Sequence, residues 1–114
     1  NAVNDQDKAL IDRATTIIRK YFDDIDFDMN VLASELGIGR SKLYLRIKEI
    51  TGLTPNELTL KIKLEEAMYL LNNQPNLNIS EISYQLGFSS PRYFSKCFKS
   101  FYGVSPQNCR KGVN

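Results

Sequence analysis

An internal repeat constrains this chain more than any other feature. Leu32-Ala33-Ser34-Glu35-Leu36-Gly37 aligns with Ile82-Ser83-Tyr84-Gln85-Leu86-Gly87 at an offset of fifty. Beyond the glycine the offset becomes fifty-one, so that Leu43 pairs with Phe94, Ile47 with Phe98, and Gly52-Leu53-Thr54-Pro55 with Gly103-Val104-Ser105-Pro106. One extra residue in the second turn accounts for the shift. Each copy reads as a short helix, a glycine turn and a second helix with an i, i+4 apolar pair. Helical solenoids need more copies than two to bury their faces, so the repeat points to two separate units with a spacer.

The residues around the repeat read as further helices. Leu10, Ile11, Ala14, Ile17, Ile18, Tyr21 and Phe22 form the stripe of an amphipathic helix. It runs into Asp23-Asp24-Ile25-Asp26-Phe27-Asp28, whose short polar side chains favour turns and caps. Asp28 caps a helix predicted over 29–36 and buried through Val31, Leu32 and Leu36; Gly37 ends it. A helix from Arg40 to about Thr51 follows, with Leu43, Ile47 and Ile50 inward. Thr54-Pro55-Asn56-Glu57 combines a Thr cap, a first-turn proline and the Glu of a capping box. It opens a helix of roughly seventeen residues, about 25 Å long at 1.5 Å per residue, whose apolar positions cover more than one stripe. Asn78 and Glu81 form a second capping box opening 79–86. Ser90-Pro91 starts a helix carrying Phe94, Phe98 and Phe101, and Ser105-Pro106 starts a last turn. No stretch alternates with period two for long enough to make a strand. The expectation is an all-α chain of about seven helices, divided as an acidic N-terminal helix and turn (1–27) packing on the first subdomain, a first helix-turn-helix (28–53), a linker helix (54–74) and a second helix-turn-helix with a C-terminal turn (75–114).

In a helix-turn-helix the second helix enters the DNA major groove. Recognition helices about 34 Å apart, one turn of B-DNA, are compatible with the linker length. Charge is consistent with such a partner. The net charge of +2 hides an asymmetry: residues 1–35 hold four basic groups against eight acids, and residues 36–114 hold eleven against five. A basic body behind an acidic segment suits a polyanion. The chain has no histidine and two cysteines, Cys97 and Cys109, with no CxxC pair. That argues against Cys/His zinc sites and against Ser-His-Asp or Cys-His catalysis. No acid/base or nucleophile constellation is visible, so no enzyme activity and no cofactor are expected. No apolar run reaches a membrane span, and the cysteine usage reads as reduced and cytoplasmic. A helical protein-interaction module is the rival reading, but it leaves the basic residues on both second helices without a role. An RNA duplex is disfavoured, because its major groove does not admit a helix.

The segments Leu32-Ala33, Leu36-Gly37, Leu43-Tyr44 and Thr51 to Pro55, with Gly87 to Ser90, Tyr93 to Lys96, Phe98-Lys99 and Gly103 to Pro106, resemble the arabinose-regulator (AraC/XylS) DNA-binding domain. The resemblance covers about residues 28–111 and is most specific between Gly87 and Pro106. It implies a transcription factor, usually an activator, fused to an input domain, with double-stranded DNA and RNA polymerase as partners. With residues 5–27 the chain is similar to a narrower group, the C-terminal output domain of Bacteroidetes hybrid two-component regulators, whose ligands are often glycan fragments. That likeness implies a missing receiver and sensor portion. The fragment is expected to be monomeric, with any dimerisation left to the full-length protein.

The resemblance places base-reading positions at Ser41 and Leu45 in the first unit and at Arg92 and Lys96 in the second. Arg40, Tyr44 and Ser95 share those outward faces. Arg92 suits bidentate pairing with guanine O6 and N7, Lys96 is a less orienting donor, and Leu45 can touch only a thymine methyl. Lys42, Lys48, Ser90, Tyr93 and Lys99 suit phosphate contacts, which position without specifying sequence. Relatives often carry Arg where Leu45 stands, a Ser cap where Gly39 stands, and Tyr where Cys109 stands. The first unit is therefore expected to read sequence more weakly than the second. Cys97 is expected to pack on the inner side of its helix.

Overall fold

The computed structural model describes residues 4–112. Residues 1–3 and 113–114, which the expected outer segments include, lie outside it. Among the described residues there are seven helices: α1 (Asp5–Lys20), α2 (Met29–Leu36), α3 (Arg40–Thr51), α4 (Pro55–Asn73), α5 (Ile79–Gln85), α6 (Pro91–Tyr102) and α7 (Pro106–Lys111). None is long and apolar enough to cross a membrane. The chain forms two compact units. One holds the residues up to Tyr21 together with Asp26–Ile62, the other Phe22–Ile25 together with the chain from Lys63 onward.

Side-chain caps start six of the seven described helices, and α3 opens at Gly39 without one. The Asn4 side chain accepts from the Asp7 amide at 2.8 Å, and α1 carries Asp5 and Asp7 in its first turn and Arg19 and Lys20 in its last, the signs its dipole favours. Asp28 caps α2 through the Val31 amide at 3.1 Å. The Thr54 hydroxyl accepts from the Glu57 amide at 3.1 Å while the Glu57 carboxylate accepts from the Thr54 amide at 2.8 Å. The Thr54 amide, chiefly, and the Thr54 side chain hold the Glu57 carboxyl below its usual pKa. Asn78 and Glu81 repeat this arrangement at α5, and Ser90 and Ser105 cap α6 and α7, each followed by proline.

In the first unit α1 packs on α2, and α2 on α3. Its core is Ala14, Ile18, Leu32, Ala33, Leu36, Leu43, Ile47, Leu58 and Ile62. In the second, α5 packs on α6 and α6 on α7, around Leu64, Ala67, Leu71, Ile82, Leu86, Phe88, Phe94 and Phe98. The two halves of α4 thus bury separate stripes, Leu58 and Ile62 at i, i+4, then Leu64, Ala67 and Leu71 at i, i+3, i+7. This is the multiply apolar pattern noted in its sequence. The two repeat turns share one geometry. Gly37 and Gly87 take φ of 68° and 75°. The amides of Ile38 and Phe88 bond the carbonyls of Ala33 and Ser83, and those of Gly37 and Gly87 bond Ser34 and Tyr84, all at 3.1 Å. That is a Schellman closure, which needs a left-handed residue.

Five details differ from the sequence expectation. α1 ends at Lys20 with Tyr21 as its cap; the Tyr21 phenol instead donates to Glu35 at 2.8 Å and its ring stacks on Phe27. α4 runs on to Asn73, and α5 ends at Gln85 with Leu86 as its cap. Phe101 is 47% exposed. The inner row of α6 continues instead through Tyr102, whose ring lies 4.7 Å from that of Phe98 and whose hydroxyl donates to the Leu64 carbonyl at 3.2 Å. Ile50 is only half-buried.

Candidate nucleic-acid interface

The second helix of each helix-turn-helix is held by two fully buried side chains, Leu43 and Ile47 in α3 and Phe94 and Phe98 in α6. With 3.6 residues per turn, residues two before and two after the first anchor point the opposite way. On α3 that outward row is Ser41, Leu45 and Lys48, and on α6 it is Arg92, Lys96 and Lys99; all six are exposed. The rows correspond at the offset of fifty-one, so both units present the same three positions. Arg40, Lys42 and Tyr44 are also exposed on α3, and Ser95 is half-buried on α6.

Two of the expected phosphate contacts have duties within the fold. The Ser90 hydroxyl accepts from the Tyr93 amide at 3.1 Å as the cap of α6, leaving its proton free to donate. The Tyr93 phenol is raised above its usual pKa, chiefly by a hydrogen bond with Cys97. Tyr93 remains 50% exposed. Both cysteines are free and partly buried, and Cys109 lies with its sulfur 3.5 Å from that of Met68.

The structure also assigns positions that the sequence reading passed over. Arg46, beside Leu45, is turned back toward α1. Its guanidinium donates to Asp7 and, at 3.0 Å, to Glu49, which raises its pKa, the Glu49 bond contributing most. Met29, the first residue of α2, lines a broad open hollow of about 670 Å³ with Arg40, Ser41, Tyr44 and Leu45. In the second unit Lys63 is half-buried with its ammonium 5.6 Å from the centroid of Phe88, and burial lowers its pKa. Arg110 donates to the carbonyls of Leu71 at 3.3 Å, Gln74 at 3.1 Å and Leu77, tying α7 to the end of α4 and the loop that follows. The sequence signals were Met29's place after a capping Asp and Glu49 three residues after Arg46; nothing local marked Arg110.

A family of proteins described as "Helix-turn-helix domain" matches residues 32–112. The histidine kinase P4 of Formosa agariphila is 41% identical over 100 residues, which are 88% of this chain and 7% of that protein. The C-terminal domain of AraT, a response regulator from Geobacillus stearothermophilus, superposes with a TM-score of 0.81 at 30% identity, covering 98% of this chain and 88% of that one. A xylose-binding transcription activator, xylR, superposes with a TM-score of 0.82 at 30% identity, covering all of this chain and 29% of that one. The chain thus spans a small part of its full-length relatives and most of an isolated response-regulator C-terminal domain. Its double helix-turn-helix, its signature from Gly87 to Pro106 and these likenesses place it among the AraC-type helix-turn-helix DNA-binding domains.

Proposed function

We propose that this chain is the double-stranded DNA-binding output domain of a cytoplasmic transcriptional activator, with residues 28–53 and 75–114 as reading modules and 54–74 as their linker. One observation carries the reading: the same three outward positions, exposed on the second helix of each unit, are occupied by Ser41, Leu45 and Lys48 and by Arg92, Lys96 and Lys99. Arg92 and Lys96 meet base edges in one half-site and Ser41 and Leu45 in the other, with Arg40, Tyr44 and Ser95 beside them. Lys42, Lys48, Ser90, Tyr93 and Lys99 hold phosphates. The histidine kinase and response-regulator relatives support a two-component protein as the full-length chain, in which a receiver and sensor precede this domain. The xylose-binding activator and the resemblance to hybrid regulators support carbohydrate utilisation as the regulated process. RNA polymerase is the partner that activation requires.

Selection of bound sequences from a random duplex pool tests this reading. The expected result is two enriched blocks about 10–10.5 base pairs apart, centre to centre. Arg92→Ala should lose about 1–3 kcal/mol of discrimination at one base pair of one block. A pool with no enrichment would sink the reading, and equal weakening across all sequences would make Arg92 a phosphate contact.

A further inference from the structure

The two units carry opposite chemistry at equivalent reading positions. At the offset of fifty-one, Ser41, Tyr44 and Leu45 of α3 correspond to Arg92, Ser95 and Lys96 of α6. Where the second unit has two cations and a hydroxyl, the first has no cation: a leucine, a tyrosine ring with its phenol, and a serine hydroxyl. Leu45 is 61% exposed and Tyr44 39% exposed. A lone exposed leucine is ordinary on a protein surface. Here, however, Leu45 and Tyr44 join Met29 of the neighbouring helix α2 around a hollow of about 670 Å³, with Arg40 and Ser41 completing its lining. That lining holds one cation and no acid, and Lys42 and Lys48 lie exposed on the same helix. The hollow therefore joins an apolar wall of Met29, Leu45 and the Tyr44 ring to a polar edge of Arg40 and Ser41, in a positively charged setting.

We infer that this hollow is a thymine-methyl reader: Met29, Tyr44 and Leu45 take the 5-methyl groups of one or more thymines of the first half-site. The inference rests on the DNA-binding reading above and extends it. Charge complementarity selects a polyanion as the occupant. Among the groups that B-DNA shows in its major groove, the thymine methyl is the apolar one. The first unit thus reads by apolar burial where the second reads by donated hydrogen bonds. The composite site is asymmetric, thymine-bearing in one half and guanine-bearing in the other, and it fixes the direction in which the domain lies on its duplex.

Uracil scanning of the pool-selected duplex tests this with the unmodified chain. Replacing a thymine by uracil deletes the methyl and leaves the pairing edge and O4 in place. Burying a methyl-sized group corresponds to about fourfold in affinity. At one or more thymines, all in the half-site that Arg92→Ala leaves unaffected, uracil should weaken binding by about that factor. Leu45→Ala and Met29→Ala should bind the thymine and uracil duplexes equally, with helical content checked by circular dichroism. Leu45 is exposed, so its truncation leaves the core in place. Sequence-specific binding indifferent to uracil at every thymine overturns the inference alone, as does a uracil effect that persists in both variants. Absence of any sequence-specific duplex binding overturns the parent reading and the inference with it.

Discussion

Ser83 is fully buried on α5, and its hydroxyl finds no hydrogen-bond partner among the described residues. An orphaned buried hydroxyl costs about 1–3 kcal/mol. Its counterpart in the first unit is Ala33, which packs the same helix-to-helix contact without that cost. Ser83→Ala should raise stability by about 1 kcal/mol, read as a higher urea midpoint at unchanged slope; a loss would mean that the hydroxyl has a partner in solution. At this scale the sequence was only partly legible. Outward positions on α3 and α6 followed from helical spacing, because exposure there is set by the residue's own helix. Arg110 was not legible, since the carbonyls it bonds lie 33, 36 and 39 residues away in the chain. Phe101 and Tyr102 both fit the spacing after Phe98, and the choice fell to the Leu64 carbonyl, which only Tyr102 can satisfy.

Among the elements, the two glycine turns look alike by backbone geometry and differ in their surroundings. A Cβ at Gly37 meets nothing, whereas one at Gly87 collides with the Phe22 backbone carbonyl. A non-glycine residue in the left-handed region costs about 1–2 kcal/mol. Gly37→Ala should therefore lose about that much. Gly87→Ala should lose distinctly more, because a backbone carbonyl cannot swing aside as a side-chain tip can. Chemical denaturation of the two variants side by side checks this, and equal losses would show that Phe22 yields. Helix starts were legible because caps act within three residues. Helix ends were less so: Tyr21 leaves α1 for Glu35 and Phe27, partners that only the folded unit brings near.

On the scale of the whole molecule, the basic groups on both second helices predict a salt-dependent encounter with DNA. If about five phosphates are neutralised, log K should fall with log[salt] at a slope near −4 to −5. Lys99→Ala should make the slope shallower by about one, while Arg92→Ala leaves it unchanged if Arg92 meets a base. Titrations at several salt concentrations distinguish the two, and a common slope for both variants would overturn that division of roles.

The internal repeat, with its caps and periodic apolar pairs, determined the all-helical class, the two helix-turn-helix units and the outward rows on α3 and α6. Each of these is encoded by residues within one or two turns of one another. Tertiary structure decided what lies across elements. It placed Met29 beside Leu45, turned Arg46 away to Asp7, left the Ser83 hydroxyl unpaired and set the Phe22 carbonyl against Gly87. The physical reason is that the packing of distant segments depends on shape and on the satisfaction of backbone polar groups, and spacing along a single sequence records neither.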